Sequence, residues 1–257
     1  MEEEAHVGEG QHGEAHEAHG PLDQFEIEPL IPIQVAGYDV SFTNSALFMF
    51  IAGGLVLLFL MGGMRHPSLI PGRLQSAVET LYEFTANLVN ENAGREGLPF
   101  FSVIFTLFMF IMFGNLIGLV PGAFTFTSHI IVTFTMAICV VIGVTIVGFW
   151  RHGLHFFGFF VPHGAPKFML PFLVPIEVLS YCVRPISLSV RLFVNMMAGH
   201  TMLHVFATFV VALGLFGVAP LLVVVALYAL EIAIAVLQAY VFTILSTLYL
   251  RDSLHMH

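Results

Sequence analysis

Five long apolar stretches leave this chain few ways to fold. They lie at roughly 44–64, 99–120, 128–150, 168–213 and 220–250, and a helix needs only about 20 apolar residues to cross a bilayer. With 58% of its 257 residues hydrophobic and 10% charged, no soluble domain of this size can hide the apolar surface. The runs are continuous, not alternating at period two, so the sequence predicts an all-α polytopic membrane protein and excludes a β-barrel. Pro67 and Pro71 follow the first stretch, Pro99 opens the second and Pro121-Gly122 close it. Ser128 reads as the N-cap of the third, and the segment from Gly214 to Pro220 separates the last two. No internal repeat is visible.

Between the first two stretches the pattern changes. In residues 71–92, Leu74, Val78, Leu81 and Leu88 share one helical face, while Gln75, Glu79, Glu83, Asn87 and Asn90 gather away from it. Two glutamates make spanning costly, so this segment reads as an amphipathic helix, either lying at the membrane interface or serving as a linker. The basic residues set the orientation. Loops 65–98 and 151–167 and the C-terminus carry six of the eight, namely Arg65, Arg73, Arg95, Arg151, Lys167 and Arg251. The first 64 residues and the connections near 121–127 and 214–219 carry none. The positive-inside rule then places the N-terminus outside and the C-terminus in the cytoplasm, which five spans satisfy.

Residues 1–20 hold six Glu and four His without Lys or Arg, and have neither the basic start nor the apolar centre of a signal peptide. The expected organisation is an acidic, extracytoplasmic tail and lead-in over 1–40, then a membrane domain over 41–257. His6, His12, His16 and His19 are read as part of a solvated tail, not a metal site, because nothing fixes a ligand geometry. Cys139 and Cys182 lack any metal or redox spacing and are read as small buried hydrophobes.

The fourth stretch would measure about 69 Å as one helix, against a hydrocarbon core near 30 Å, so it must tilt steeply. Folding the last two stretches into a hairpin about 214–215 puts Arg191 level with Gln238 and His200 near Glu231. The same register puts Glu177 opposite Arg251-Asp252. Polar groups therefore fall in layers: Glu177, Ser180 and Arg184 inside, Arg191, Asn195 and Gln238 in the middle, His200 and Glu231 outside. Glu177 and Arg184 read equally as a structural ion pair or as pathway groups, and Asn115, Asn195 and Gln238 as interhelical glue. Arg191 resists a bland reading. A charge near the bilayer centre costs several kcal/mol and by default marks a pathway or counter-ion site.

Arginine stays protonated at working pH, so Arg191 cannot pass protons on. It can attract a carboxylate and repel other cations. His200, Glu231 and Glu177 can take up and release protons. The layout is two titratable paths, one from each face, separated by a fixed positive charge. The centre of the chain offers no unpaired carboxylate to face Arg191, so that group is expected from a partner.

"SLSVRLFVNMMAGH" (187–200) and "LQAYVFTILSTLYL" (237–250) resemble the subunit a family of F-type ATP synthases. The resemblance extends through "PGRLQSAVETLYEF", "FGNLIGLVP" and "PIEVLSYCVRPISL", and covers most of 40–251. It implies a stator subunit with two offset proton half-channels, whose arginine, here Arg191, faces carboxylates of a rotating c-subunit ring. It further implies that Asn195, His200, Glu231 and Gln238 are channel or near-arginine positions, with Asn115 also lining the outer path, and that Glu177, Ser180 and Arg184 line the cytoplasmic one. Many bacterial members carry Glu and His where this chain has His200 and Glu231; the exchange keeps one acid and one base.

Implied partners are the c-ring, b-type peripheral stalk subunits, the rest of the synthase and membrane lipid, with no nucleic acid. No cofactor, metal or catalytic site is expected, and no GxxxxGK[ST] motif occurs, so nucleotide chemistry belongs to partner chains. The expected location is a bacterial inner membrane rather than a mitochondrial one. The competing readings are a secondary transporter with Arg191 in an anion-substrate site, which lacks the expected repeat, and a purely structural subunit, which leaves Arg191 unexplained.

Overall fold

The computed structural model describes residues 29–254, apart from 33, 36, 37, 40, 66, 67, 69, 121, 154, 155, 157 and 159–167. The acidic tail with its four histidines, and Pro67, Pro121 and Lys167, lie outside the described residues. Two short antiparallel pairs lead in: β1 (Pro29–Ile31) with β4 (Phe42–Thr43), and β2 (Gln34–Val35) with β3 (Tyr38–Asp39). Strands of two or three residues show no alternation, so the sequence pattern left them unassigned.

Thr43 then caps α1 (Asn44–Met64), its hydroxyl accepting from the Ala46 amide at 3.3 Å. The amphipathic helix is α2 (Arg73–Ala93), ended by Gly94 at φ 67°. Val78, Thr85, Leu88, Val89 and Ala93 are buried, whereas Glu79, Glu83, Asn87 and Asn90 stay exposed. Leu74, expected on the buried face, is half exposed. The close approach of α1 and α2 depends on Gly63, where a Cβ would sit 2.6 Å from Val78 Cγ2.

A 3-10 turn (Arg95–Phe100) holding Pro99 precedes α3 (Phe101–Gly118), and another (Phe126–Ser128) precedes α4 (Ile130–His152). Ser128 is not the N-cap of α4. Its hydroxyl is committed to the Thr125 carbonyl at 2.6 Å, and His129 takes the cap position. The two longest helices are α5 (Leu170–Ala212) and α6 (Val218–Leu254), joined by a 3-10 turn at Gly214–Gly217 in which Gly214 adopts φ 55°. α5 has 43 residues and continues through Pro175 and Pro185. It is about 65 Å long, which is why it must tilt in a 30 Å core.

Five helices (α1, α3 with its leading turn, α4, α5 and α6) are long and apolar enough to cross a membrane. With α2 they make an all-α polytopic membrane fold. The core lies between α3, α5 and α6, where Phe108, Met109, Ile111, Leu188, Leu192, Met196 and Phe242 are buried. Both cysteines are exposed on the chain's surface, contrary to the buried reading. Lipid tails are as apolar as a protein interior, so hydrophobicity does not draw a cysteine inward here.

Candidate functional site

A cavity of about 210 Å³ opens near the α5–α6 turn, lined among others by Gly118, Leu119, Thr125, His200, His204 and Tyr228. That is room for several waters. The Tyr228 hydroxyl donates to the Leu119 carbonyl at 3.0 Å and so ties α6 to the α3–α4 connection. In the same connection His129 stacks on Phe124, with ring centroids 5.1 Å apart, and burial holds its pKa below the ordinary imidazole value.

His200 stands at the cavity wall, only 8% exposed. Its Nε2 is 3.0 Å from Thr125 Oγ1, and its Nδ1 is 3.4 Å from Oε1 of Glu231 on α6. Glu231 is 3% exposed, and neither of its carboxyl oxygens has a hydrogen-bond partner among the described residues. The Nδ1 contact satisfies ion-pair distance but not hydrogen-bond geometry. The two helices meet here because position 199 is glycine: a Cβ there would lie 2.6 Å from Glu231 Oε1.

Beyond this pair the polar groups continue along α6. Asn115, fully buried on α3, donates to the Ala235 carbonyl at 3.2 Å, one turn past Glu231, and its Oδ1 has no partner among the described residues. Buried Gln238 accepts from Asn195 Nδ2 at 3.0 Å, and its own amide nitrogen has no partner among the described residues. One turn before Asn195, Arg191 is exposed on α5. Among the described residues no carboxylate lies within ion-pair distance of it.

Towards the C-terminal end of α6, Arg184 Nη1 donates to Asp252 Oδ2 at 3.1 Å, with its guanidinium 5.4 Å from the Tyr181 ring centroid and 5.0 Å from that of Tyr249. The register expectation that set Glu177 against Arg251-Asp252 fails here, because Arg184 takes Asp252. Helical side chains lean towards the N-terminus of their helix, so α5 side chains reach away from the turn while α6 side chains reach back to it. Contacts therefore slip outward, most for the longest side chain. Glu177 is half-buried and Ser180 exposed, both on α5.

The structure thus joins His200 with Glu231 and Asn195 with Gln238, sets Asn115 against α6 between them, and leaves Glu177 and Ser180 apart from these contacts. A family model described as ATP synthase A chain matches residues 46–251. The chain belongs to that family. Proteins named ATP synthase subunit a are similar to it over nearly their whole length. One from Rhodospirillum rubrum is 55% identical over 240 residues, covering 93% of this chain and all of the relative. Those of Parvibaculum lavamentivorans and Paramagnetospirillum magneticum are 53% and 51% identical, covering 91% and 92% of this chain and 93% and 99% of the relatives. For this ATP synthase A chain member, sequence reasoning missed Thr125, Gly199, His204 and Tyr228. His204, one helical turn after His200, was open to discovery by spacing; Thr125 carried no signal.

Proposed function

We propose that the chain is the proton-conducting stator subunit of a bacterial F-type ATP synthase, a multi-pass plasma-membrane protein without a catalytic site of its own. One observation carries the reading. A polar stripe runs from a cavity through buried His200, Glu231, Asn115 and Gln238 to half-buried Asn195, and ends at Arg191, an exposed arginine with no carboxylate in reach among the described residues. The cavity end is the outer half-channel, in line with basic loops at the opposite end, a cytoplasmic C-terminus and an extracytoplasmic tail over 1–40. Glu177, Ser180 and Arg184 serve the inner half-channel. Buried carboxyl and amide groups without partners are the places where protons and bridging waters bind. Arg191 faces carboxylates of the c-ring, which supply the partner that no described residue brings within reach, and b-type stalk subunits hold the chain still against the turning ring.

Proton pumping in membrane vesicles tests the pathway. His200→Ala or Glu231→Ala should slow ATP-driven acidification by roughly 10- to 100-fold while the complex assembles in normal amount. The double exchange, His200→Glu with Glu231→His, keeps one acid and one base across the 3.4 Å seam. It should pump faster than the worse of its two single exchanges, each of which sets like groups side by side. Normal pumping in both alanine variants would remove the pair from the path.

A further inference from the structure

Thr125 lies in the connection between α3 and α4, yet its hydroxyl meets two groups at once. Oγ1 is 3.1 Å from the Gly118 carbonyl oxygen and 3.0 Å from His200 Nε2. A threonine hydroxyl has one hydrogen and two lone pairs. Gly118 is the last residue of α3, where a carbonyl has no donor within the helix, so the hydroxyl hydrogen goes to it. Towards His200 the same oxygen is then an acceptor, and the ring carries a hydrogen on Nε2. The contact is closely built. A Cβ on Gly118 would sit 2.6 Å from Thr125 Oγ1 and 2.7 Å from its Cγ2, and Ser128 holds the Thr125 carbonyl from the other side at 2.6 Å.

We propose that Thr125 is a positioning residue that fixes the tautomer of His200, so that the neutral ring always presents a bare Nδ1 to Glu231. The inference rests on the proton pathway proposed above. Nδ1 lies 3.4 Å from Glu231 Oε1, and with Nε2 committed the seam holds one mobile proton. A small rotation of the Glu231 carboxyl brings Oε1 into line with Nδ1–H; as the imidazolium then hands the proton over, the Nδ1–H bond breaks and an O–H bond forms. Imidazolium and carboxylate become neutral imidazole and carboxylic acid. The Nε2–H stays on Thr125 throughout, so the ring need not flip between turnovers. Without the hydroxyl, the neutral ring can instead hold its hydrogen on Nδ1, donate it to a Glu231 carboxylate, and lose the lone pair that receives the next proton. The other titratable groups here are His204 on α5 and Tyr228 on α6, which line the cavity, and Glu231 on α6 beside His200; among the described residues no lysine or arginine lines it.

Thr125→Val keeps the branched shape and removes the hydroxyl, whereas Thr125→Ser keeps the hydroxyl. In vesicles carrying the assembled complex, the valine variant should pump roughly tenfold more slowly, with its half-maximal rate moved to lower pH, and the serine variant should restore both. Equal losses in the two variants, or none with valine, would overturn the tautomer role. Ring-nitrogen NMR of histidine-labelled wild-type complex decides the matter even where the valine variant fails to assemble. Signals that vanish in His200→Asn must show a protonated Nε2 and a bare Nδ1 in the neutral ring, and a protonated Nδ1 overturns the proposal. Failure of the pathway itself looks different, for His200→Ala would then pump normally whatever Thr125 does.

Discussion

Replacing Arg191 with alanine or glutamine is expected to abolish both ATP-driven proton pumping and ATP synthesis while the chain remains in the membrane. The residue is exposed on α5, one turn before Asn195, and among the described residues it meets no carboxylate. A guanidinium placed against lipid near the bilayer centre costs several kcal/mol. Ser187, Val190, Val194 and Ala198, the residues of α5 exposed beside it, bring no compensating charge. A carboxylate arriving on a moving partner removes that cost and is itself held ionised, so a proton must leave before it passes Arg191. On the proposed pathway, alanine or glutamine removes the positive charge between the two half-channels, so protons should leak between them or cease to be released. Lysine restores charge but not function, because it lacks the planar fork and can lose its proton when desolvated. ATP synthesis at the wild-type rate in an Arg191→Ala strain would end the reading of Arg191 as the barrier.

How far this arrangement was legible in the sequence depends on the kind of signal each part leaves. The five spans were legible because length and continuous hydropathy are properties of a single segment. α1 begins and ends where the apolar run does, and α5 and α6 lie within four residues of their expected limits. The pairing of His200 with Glu231 was legible because a tight turn at Gly214–Gly217 sets the register of the hairpin it closes, whereas Gln238, expected level with Arg191, bonds Asn195 one turn nearer the hairpin turn. Register alone treats helices as rods with side chains at right angles. It therefore missed Arg184 with Asp252, where a long side chain leans away from the turn. The α3–α4 connection was illegible for another reason. Thr125 reaches His200 through the packing of a loop against two helices, and no periodicity in one dimension encodes that contact. The same holds for Cys139 and Cys182, since in a bilayer an apolar side chain satisfies hydrophobicity equally well facing lipid or core.

Gly199→Ala is expected to cut proton pumping by roughly 10- to 100-fold, the scale set by moving a reacting group about 1 Å. In an ordinary helix interior the substitution would favour folding by about 1 kcal/mol. Here the added Cβ would lie 2.6 Å from Glu231 Oε1, 3.0 Å from its Cδ and 3.3 Å from its Cγ. The carboxyl group must move away from the added methyl on α5. That opens the 3.4 Å gap to His200 Nδ1 that the proposed pathway uses for proton transfer. Assembly should survive, since the displaced atoms end a side chain and belong to no backbone. Gly54→Ala supplies the control: no atom lies within 4 Å of its added Cβ, so pumping should be unchanged. Shortening the acid supplies the rescue. Gly199→Ala with Glu231→Asp withdraws the carboxylate by one methylene and should pump faster than Gly199→Ala alone. Wild-type pumping by Gly199→Ala would mean that Glu231 carries no proton from the place it occupies beside His200, and the path from the cavity to Arg191 would have to bypass it.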